Sequence, residues 1–226
     1  MRQPNLSLEH QETTITMSKC CAILGASGHG KVVAEIAALN GYTDIEFFDD
    51  RWPALSGIEG WCVNGDTASL LKNTGRFELV VVAIGNNQVR LEKQQALSAA
   101  GAQLSVLIHP RAVVSQFSYI GVGSVVMANA VINPFANIGQ ACIINTSATV
   151  DHDCQLADAV HVSPGCNLAG GVKVGSCSWV GIGSQIKQLV TIGTSVTVGA
   201  GATVVNDIPS CHTVVGTPAR ATNQSQ

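Results

Sequence analysis

The sequence predicts two structural units in series, an α/β domain of Rossmann type followed by a parallel β-solenoid of triangular section. Three observations carry this reading. Aliphatic residues recur at intervals of six, from Ile108, Val114 and Ile120 through to Val198 and Val204, without a miss. Before them, strand-like and helix-like segments alternate around glycine-rich turns. Charge is nearly absent from the repeat, which holds three basic residues (Arg111, Lys173 and Lys187) and three acids (Asp151, Asp153 and Asp158).

Residues 1–18 read as a disordered extension, because they are polar and lack the apolar segment of a signal peptide. "KCCAILGASGHGKVVAEIAALNGY" (19–42) reads as strand, turn and helix, the helix having an apolar face at Val32, Val33, Ile36 and Leu39. "IEFFDD" (45–50) is a second strand ending in two acids. "FELVVVAIGNNQVRLEKQQALSAAGA" (77–102) repeats the theme of buried strand, turn and helix. "LSVLIHP" (104–110) reads as the last strand of this domain, which places the domain at 19–108, the solenoid at 109–220 and a tail at 221–226.

A period of six fits neither a helix nor a hairpin sheet. It fits a coil in which each hexad makes one short strand and a turn, and three hexads close a triangle. The repeat spans about five such coils, with strands rising ~4.8 Å. Each aliphatic points into the prism, and four residues after each of the first sixteen stands only Ala, Ser, Cys or Val. Cys142, Cys154 and Cys166 fall in that small slot and read as compact packing groups. Glycines in the slot after the aliphatic, such as Gly121, Gly139 and Gly175, read as tight-turn residues.

Composition excludes several classes. A net charge of -3 offers no footprint for nucleic acid or an anionic membrane. No apolar run approaches the ~20 residues of a membrane helix, which points to the cytoplasm. None of the eight cysteines forms a C-x-x-C pair, so disulfides, zinc spacing and a metal site are not expected.

In a Rossmann-type domain ligands gather at the carboxyl ends of strands. Here those ends carry Gly25 to Gly30, Asp49 with Asp50, and Gly85 to Asn87, a set suited to a nucleotide. "GASGHG" is G-x-x-G-x-G rather than the dinucleotide fingerprint, which disfavours redox chemistry. In the solenoid, "DHD" (151–153) puts carboxylates on both sides of His152. A carboxylate beside a histidine raises its basicity and fixes its tautomer, the arrangement of a general base; a solvated turn is the plain alternative. His109, before Pro110, reads as structural.

"GASGHGKV", "FFDD", "AIGNN", "NTSATVDHDC", "VHVSPGCNLAGGVKVG" and "VVGTPAR" keep the order found in the bacterial sugar O- and N-acyltransferases of the sialic-acid O-acetyltransferase group. Within that group the chain most resembles the UDP-4-amino-sugar N-acetyltransferases. The resemblance runs from Lys19 to Arg220 and implies a left-handed parallel β-helix. It implies a homotrimer with active sites between subunits, acetyl-CoA as co-substrate, and a nucleotide sugar as acceptor. It also implies His152 as base and Asp153 as the acid that supports it. Ser27, Gly28, His29, Asp49, Asp50 and Gly85 match nucleotide-sugar contacts, and His161, Ile182 and Ala200 match acetyl-CoA contacts. Two departures stand out: Asp153 takes the place of a glutamate and Ala200 that of a glycine. Three other readings remain at this stage: O-acetylation of a sialic acid or related sugar, a zinc hydrolase on the same prism, and a non-catalytic trimeric sugar-binding scaffold. The three histidines 109, 152 and 161 hold different hexad places, which argues against the zinc site.

Overall fold

The computed structural model describes residues 18–222. The proposed extension, except residue 18, and most of the proposed tail lie outside them.

The N-terminal unit is a three-stranded parallel sheet in the order β2-β1-β3. Its strands are β1 (Cys20–Leu24), β2 (Asp44–Phe48) and β3 (Leu79–Val82). Helices α1 (Gly28–Leu39), α2 (Thr67–Lys72) and α3 (Asn87–Ala99) accompany it. Val33, Ala34, Ile36 and Ala37 of α1 are buried with Ile23, Phe47 and Val81 of the sheet. Residues 51–76, which carry no simple periodicity, form a short hairpin (Gly57–Ile58 with Trp61–Cys62) and α2. Asp66 caps α2 by accepting from Ser69 N at 2.8 Å.

The solenoid has three parallel faces of eight, six and five strands, the first closed by one antiparallel strand. Face 1 begins with Leu107–Ile108 and continues through Val125, Ile143, His161, Trp179 and Thr197. Face 2 holds 113, 131, 149, 167, 185 and 203, and face 3 holds 119, 137, 155, 173 and 191. Leu107–Ile108 pairs with Val125–Val126, so the expected last strand of the α/β domain is instead the first rung of the coil. A backbone bond to the N-terminal sheet lies just before it, where Val80 N donates to Gln103 O at 2.9 Å. At the far end Ile208 bridges Ile192 and Thr213–Val215 pairs with face 1, adding to the coil beyond the last aliphatic of the repeat.

Inward aliphatics and small residues both lie in one core, with Cys142, Cys154 and Cys166 fully buried. Burial pushes the Cys142 thiol up to about 12, which suits an inert packing group. The glycine reading needs correction. A Cβ on Gly121 would lie 2.5 Å from Gln140 N of the next coil, so glycine is there for close approach. The left-handed corner residue comes two places later, as at Gly123 (φ 70°), Ala141 (φ 55°), Asp153 (φ 59°) and Ala159 (φ 56°).

The two units meet in two ways. Leu107, Val125 and Ile143, the outward residues of face 1, are buried in the α1 core and roof that part of the prism. Beside them α3 turns a polar stripe, Asn87, Arg90 and Gln94, toward the corners between faces 3 and 1. Arg90 is 1% exposed; it donates to Ala141 O at 2.7 Å and Ala159 O at 3.0 Å on the coil, and to Ile84 O at 2.9 Å and Gly85 O at 3.2 Å on its own unit. Asn87 Oδ1 accepts from Arg90 at 2.8 Å, and its amide donates to Cys177 O at 3.0 Å. Gln94 donates to Val122 O at 3.0 Å. The sequence assigns these residues only to a turn and a helix. Their partners are backbone carbonyls, which leave no trace in side-chain patterns.

Replacing Arg90 by leucine removes the donor from four carbonyls, two of them in buried bonds, and denaturant midpoints should report a loss of at least ~3 kcal/mol. Asn87→Ala, which removes one bond to the coil, should lose about 1 kcal/mol. An Arg90→Leu chain with an unchanged midpoint would show that the stripe does not hold the units together.

Candidate active site

The "DHD" corner lies on the edge between faces 2 and 3. Asp151 Oδ1 accepts from the His152 backbone N–H at 2.8 Å and from Asn133 Nδ2 at 2.7 Å, which ties the corner to the coil above. Gly171 N donates to His152 O at 2.9 Å and ties it to the coil below. The left-handed backbone of Asp153 turns its carboxylate toward the ring, so that Oδ2 lies 2.7 Å from His152 Nδ1. The carboxylate accepts the Nδ1 proton, which leaves Nε2 as the free acceptor. Asp153, with help from the Asp151 charge, raises the His152 pKa above its usual value. Both side chains are more than half exposed.

The ring has a seat that sequence reasoning missed. Gly170 stands eighteen residues beyond His152, one coil below, and a Cβ there would come within 2.6 Å of Cε1 and Nε2. The signal was available in the eighteen-residue spacing.

The acetyl-CoA candidates share one place. His161, Ile182 and Ala200 line a cavity of about 330 Å³ on face 1, with Ser163, Trp179 and Thr197. His161 stacks on Trp179 at 5.5 Å and 7°. Its tautomer follows from its neighbours. Thr146 N donates to Asn145 Oδ1 at 2.8 Å, which fixes that amide, so Asn145 Nδ2 donates to His161 Nε2 at 3.1 Å. The proton then sits on Nδ1, a buried donor with no hydrogen-bond partner. Burial, with the Arg90 and His29 charges, pushes the His161 pKa down to about 3, so the ring is neutral.

The nucleotide candidates surround the other unit's strand ends. Ser27, Gly28 and Gly85 are exposed. Ser27 is the N-cap of α1, yet its side chain makes no capping bond. His29 Nε2 is buried without a partner, and burial with the Arg90 charge lowers its pKa to about 4. Asp49 is different in kind. Its four acceptor positions are filled by Ala26 N (2.8 Å) and by Arg51 N (3.0 Å), Nε (2.8 Å) and Nη2 (2.9 Å). The Arg51 bonds hold its pKa down to about 2. The carboxylate latches the glycine turn and presents Arg51, whose Nη2 also donates to Ala26 O at 2.7 Å. Asp50 accepts from Thr67 N at 2.9 Å and Lys93 Nζ at 2.8 Å.

Within one chain the parts do not converge. The cavity and the roof belong to face 1, whereas His152 and Asp153 occupy the opposite edge of the triangle. That edge carries exposed apolar residues along its length: Phe117 and Phe135, stacked at 5.9 Å, above the dyad and Leu189 below it. His109 accepts from Arg111 N at 2.9 Å and lies in neither group. Among the described residues no three His, Cys, Asp or Glu gather to hold a metal ion, and no helix is long and apolar enough to cross a membrane.

Comparison with known proteins places this geometry among related ones. Residues 20–97 match the PglD N-terminal domain family. Over 114 residues the chain is 38% identical to the UDP-N-acetylbacillosamine N-acetyltransferase of Bacillus subtilis strain 168, covering 49% of this chain and 52%, about half the length, of that relative. The acetyltransferase domain of PglB from Neisseria gonorrhoeae FA1090, solved with acetyl coenzyme A, is 45% identical with a TM-score of 0.86, covering 91% of this chain and 100% of that one. PerB from Caulobacter crescentus, solved with CoA and GDP-perosamine, is 39% identical with a TM-score of 0.85, covering 90% and 97%.

Asp153 and Gly170 define two measurable properties of His152. Its NMR titration should give a pKa above 6.5, the ordinary value, and Asp153→Asn should bring it down, since the anion that favours the imidazolium is gone. Gly170→Ala should displace the ring and shift its Cε1 proton resonance without unfolding the coil. A His152 pKa unmoved by Asp153→Asn would dissolve the dyad.

Proposed function

The chain belongs to the bacterial sugar acyltransferases that join a PglD-type N-terminal domain to a left-handed β-helix, and on that premise we propose that it is an acetyl-CoA-dependent N-acetyltransferase of nucleotide-linked amino sugars. UDP-linked 4-amino-4,6-dideoxy sugars are the first acceptors to test, because the Bacillus relative is named for a sugar of that class. The observation that carries the reading is the His152–Asp153 pair, 2.7 Å apart with Nε2 free, in a coil that otherwise avoids charge.

The reaction joins two substrates. The sugar amine attacks the thioester carbonyl, a C–N bond forms, and the C–S bond breaks to release CoA. His152 Nε2 takes the proton that the nitrogen sheds, and that proton can then pass to the departing thiolate. Asp153 steadies the imidazolium so formed. The unpartnered Nδ1–H of His161 offers a donor for the carbonyl oxygen as charge develops there. No acyl-enzyme is needed, and the buried thiols, with raised pKa values at Cys142, Cys154 and Cys166, are poor nucleophiles.

We place the catalytic edge of one chain against face 1 of a second. This brings Nε2 to the cavity and covers Phe117, Phe135 and Leu189, and a cyclic trimer satisfies every copy in the same way. The nucleotide sugar enters from Ser27, Gly28, His29 and Gly85, with Arg51 held by Asp49 and Lys93 by Asp50 at the same mouth.

His152→Ala should lose roughly 10²- to 10⁴-fold in kcat while still binding both substrates. Asp153→Asn should lose less, and its acidic limb should move to lower pH, because a less basic imidazole stays unprotonated further down the scale. Near-normal kcat at pH 7 in His152→Ala would reduce the corner to a solvated turn.

Sharing of the site between chains has its own test. Light scattering should give about three times the 23.4 kDa chain mass. Co-expressed His152→Ala and Ala200→Trp chains, each inactive alone, should recover about a quarter of wild-type activity, the fraction of interfaces that pair two intact halves. No recovery in verified mixed oligomers would confine the site to one chain.

A further inference from the structure

The outward column of face 1 reads Leu107, Val125, Ile143, His161, Trp179 and Thr197. The first three are at most 3% exposed beneath the N-terminal unit, while Trp179 is 48% exposed. The roof therefore ends at His161, and the cavity runs down from it past Trp179 and Ile182 to Thr197 and Ala200. Trp179 is not a loose surface aromatic. Its ring lies parallel to the His161 imidazole, and its Nε1–H donates to Ser163 Oγ at 2.6 Å. Stacking and hydrogen bond together hold the indole in one orientation against the cavity.

We propose that Trp179 sets the length of the acyl group this site accepts, holding it to acetyl and excluding longer chains. The inference rests on the acyl-transfer reading above. Transfer takes place where donor and acceptor meet, which is the roofed end, since the roof carries the glycine turn and His29. A thioester lying in the cavity reaches that end with its acyl carbons foremost. The roof and His161 close the space above them, and the pinned indole walls the space beside them. Apart from the His161 Nδ1–H, the polar groups at this end are already engaged with each other, Asn145 with His161 Nε2 and Ser163 with Trp179. Selection among straight acyl chains is then a matter of volume, and the indole is the largest side chain available to take it up. The coil itself does not require tryptophan there, because Val180 fills the prism and the next outward residue of the column is Thr197.

The test compares wild type, Trp179→Ala and Trp179→Phe with acetyl-, propionyl- and butyryl-CoA. Two readouts are taken: thiol release with a nucleotide-linked amino sugar, and calorimetric binding of each thioester without acceptor. Wild type should favour acetyl- over butyryl-CoA by at least about tenfold, the usual reach of a hydrophobic pocket against extra methylenes. Trp179→Ala should shrink that ratio at least about tenfold, and Trp179→Phe should keep most of it. The order of dissociation constants should change in the same sense. A wild type indifferent to acyl length overturns the proposal, as does a Trp179→Ala chain that keeps the wild-type ratio. Should no amino sugar be acetylated, the acceptor assignment fails, while the binding order still decides the role of Trp179.

Discussion

The register of eighteen residues is the constraint on which the rest depends. Each rung is tied to the next by backbone bonds such as Tyr119 N to Ala136 O (2.9 Å), Asn137 N to Cys154 O (2.8 Å) and Gln155 N to Val172 O (2.9 Å). Residues eighteen apart therefore stack one rung spacing from each other, and each column of side chains has a fixed amount of room. An inward column has space for an aliphatic or a small residue and no means of solvating a charge. Polar chemistry is pushed to the outward columns and the corners. The corners bring their own demand, a left-handed backbone at their third residue, which for a side chain other than glycine costs about 1 kcal/mol. Asp153 meets that demand with a short polar side chain, and the same backbone turn carries its carboxylate to His152.

What was legible in the sequence followed from this register. The six-step aliphatics and the small slot fixed the prism, and the scarcity of charge made "DHD" conspicuous. The α/β unit was legible from buried strands and glycine turns, though its boundary was placed a strand too late, because the extended residues before Ile108 resemble both neighbours. The final rungs fall inside the expected 109–220, although they leave the hexad spacing after Val204. Arg90 and Gly170 were hidden for a different reason. Arg90 bonds to carbonyls, which residue types do not record, and Gly170 acts through the side chain it lacks, so that only its eighteen-residue spacing from His152 marks it.

Asp49 illustrates how the fold can engage a side chain that the sequence offers to a ligand. Two acids at a strand end suggest free acceptors for a ligand. In the fold Asp49 has spent every lone pair on the turn and on Arg51, so it orders the cation that faces the mouth. Asp50 does the same for Lys93. Pairing holds the two cations in place; in the proposed nucleotide-sugar site this costs less ordering on binding than recruiting free side chains would.

The histidines complete the argument, because one residue type is set to opposite uses by its surroundings alone. His152 stands in water between two carboxylates, and its pKa rises, which is what an acceptor of protons needs near neutral pH. His161 and His29 lie under the roof within reach of the Arg90 charge, and their pKa values fall to about 3 and about 4. Burial, reinforced by the charge of the guanidinium that clamps the two units together, thus keeps those two rings uncharged. In the proposed reaction, neutral rings do not repel the ammonium form of an approaching sugar amine, and they leave the proton to the one imidazole whose environment favours it. Since carbonyls of both units hold Arg90, the docking that buries these rings also fixes the positive charge beside them.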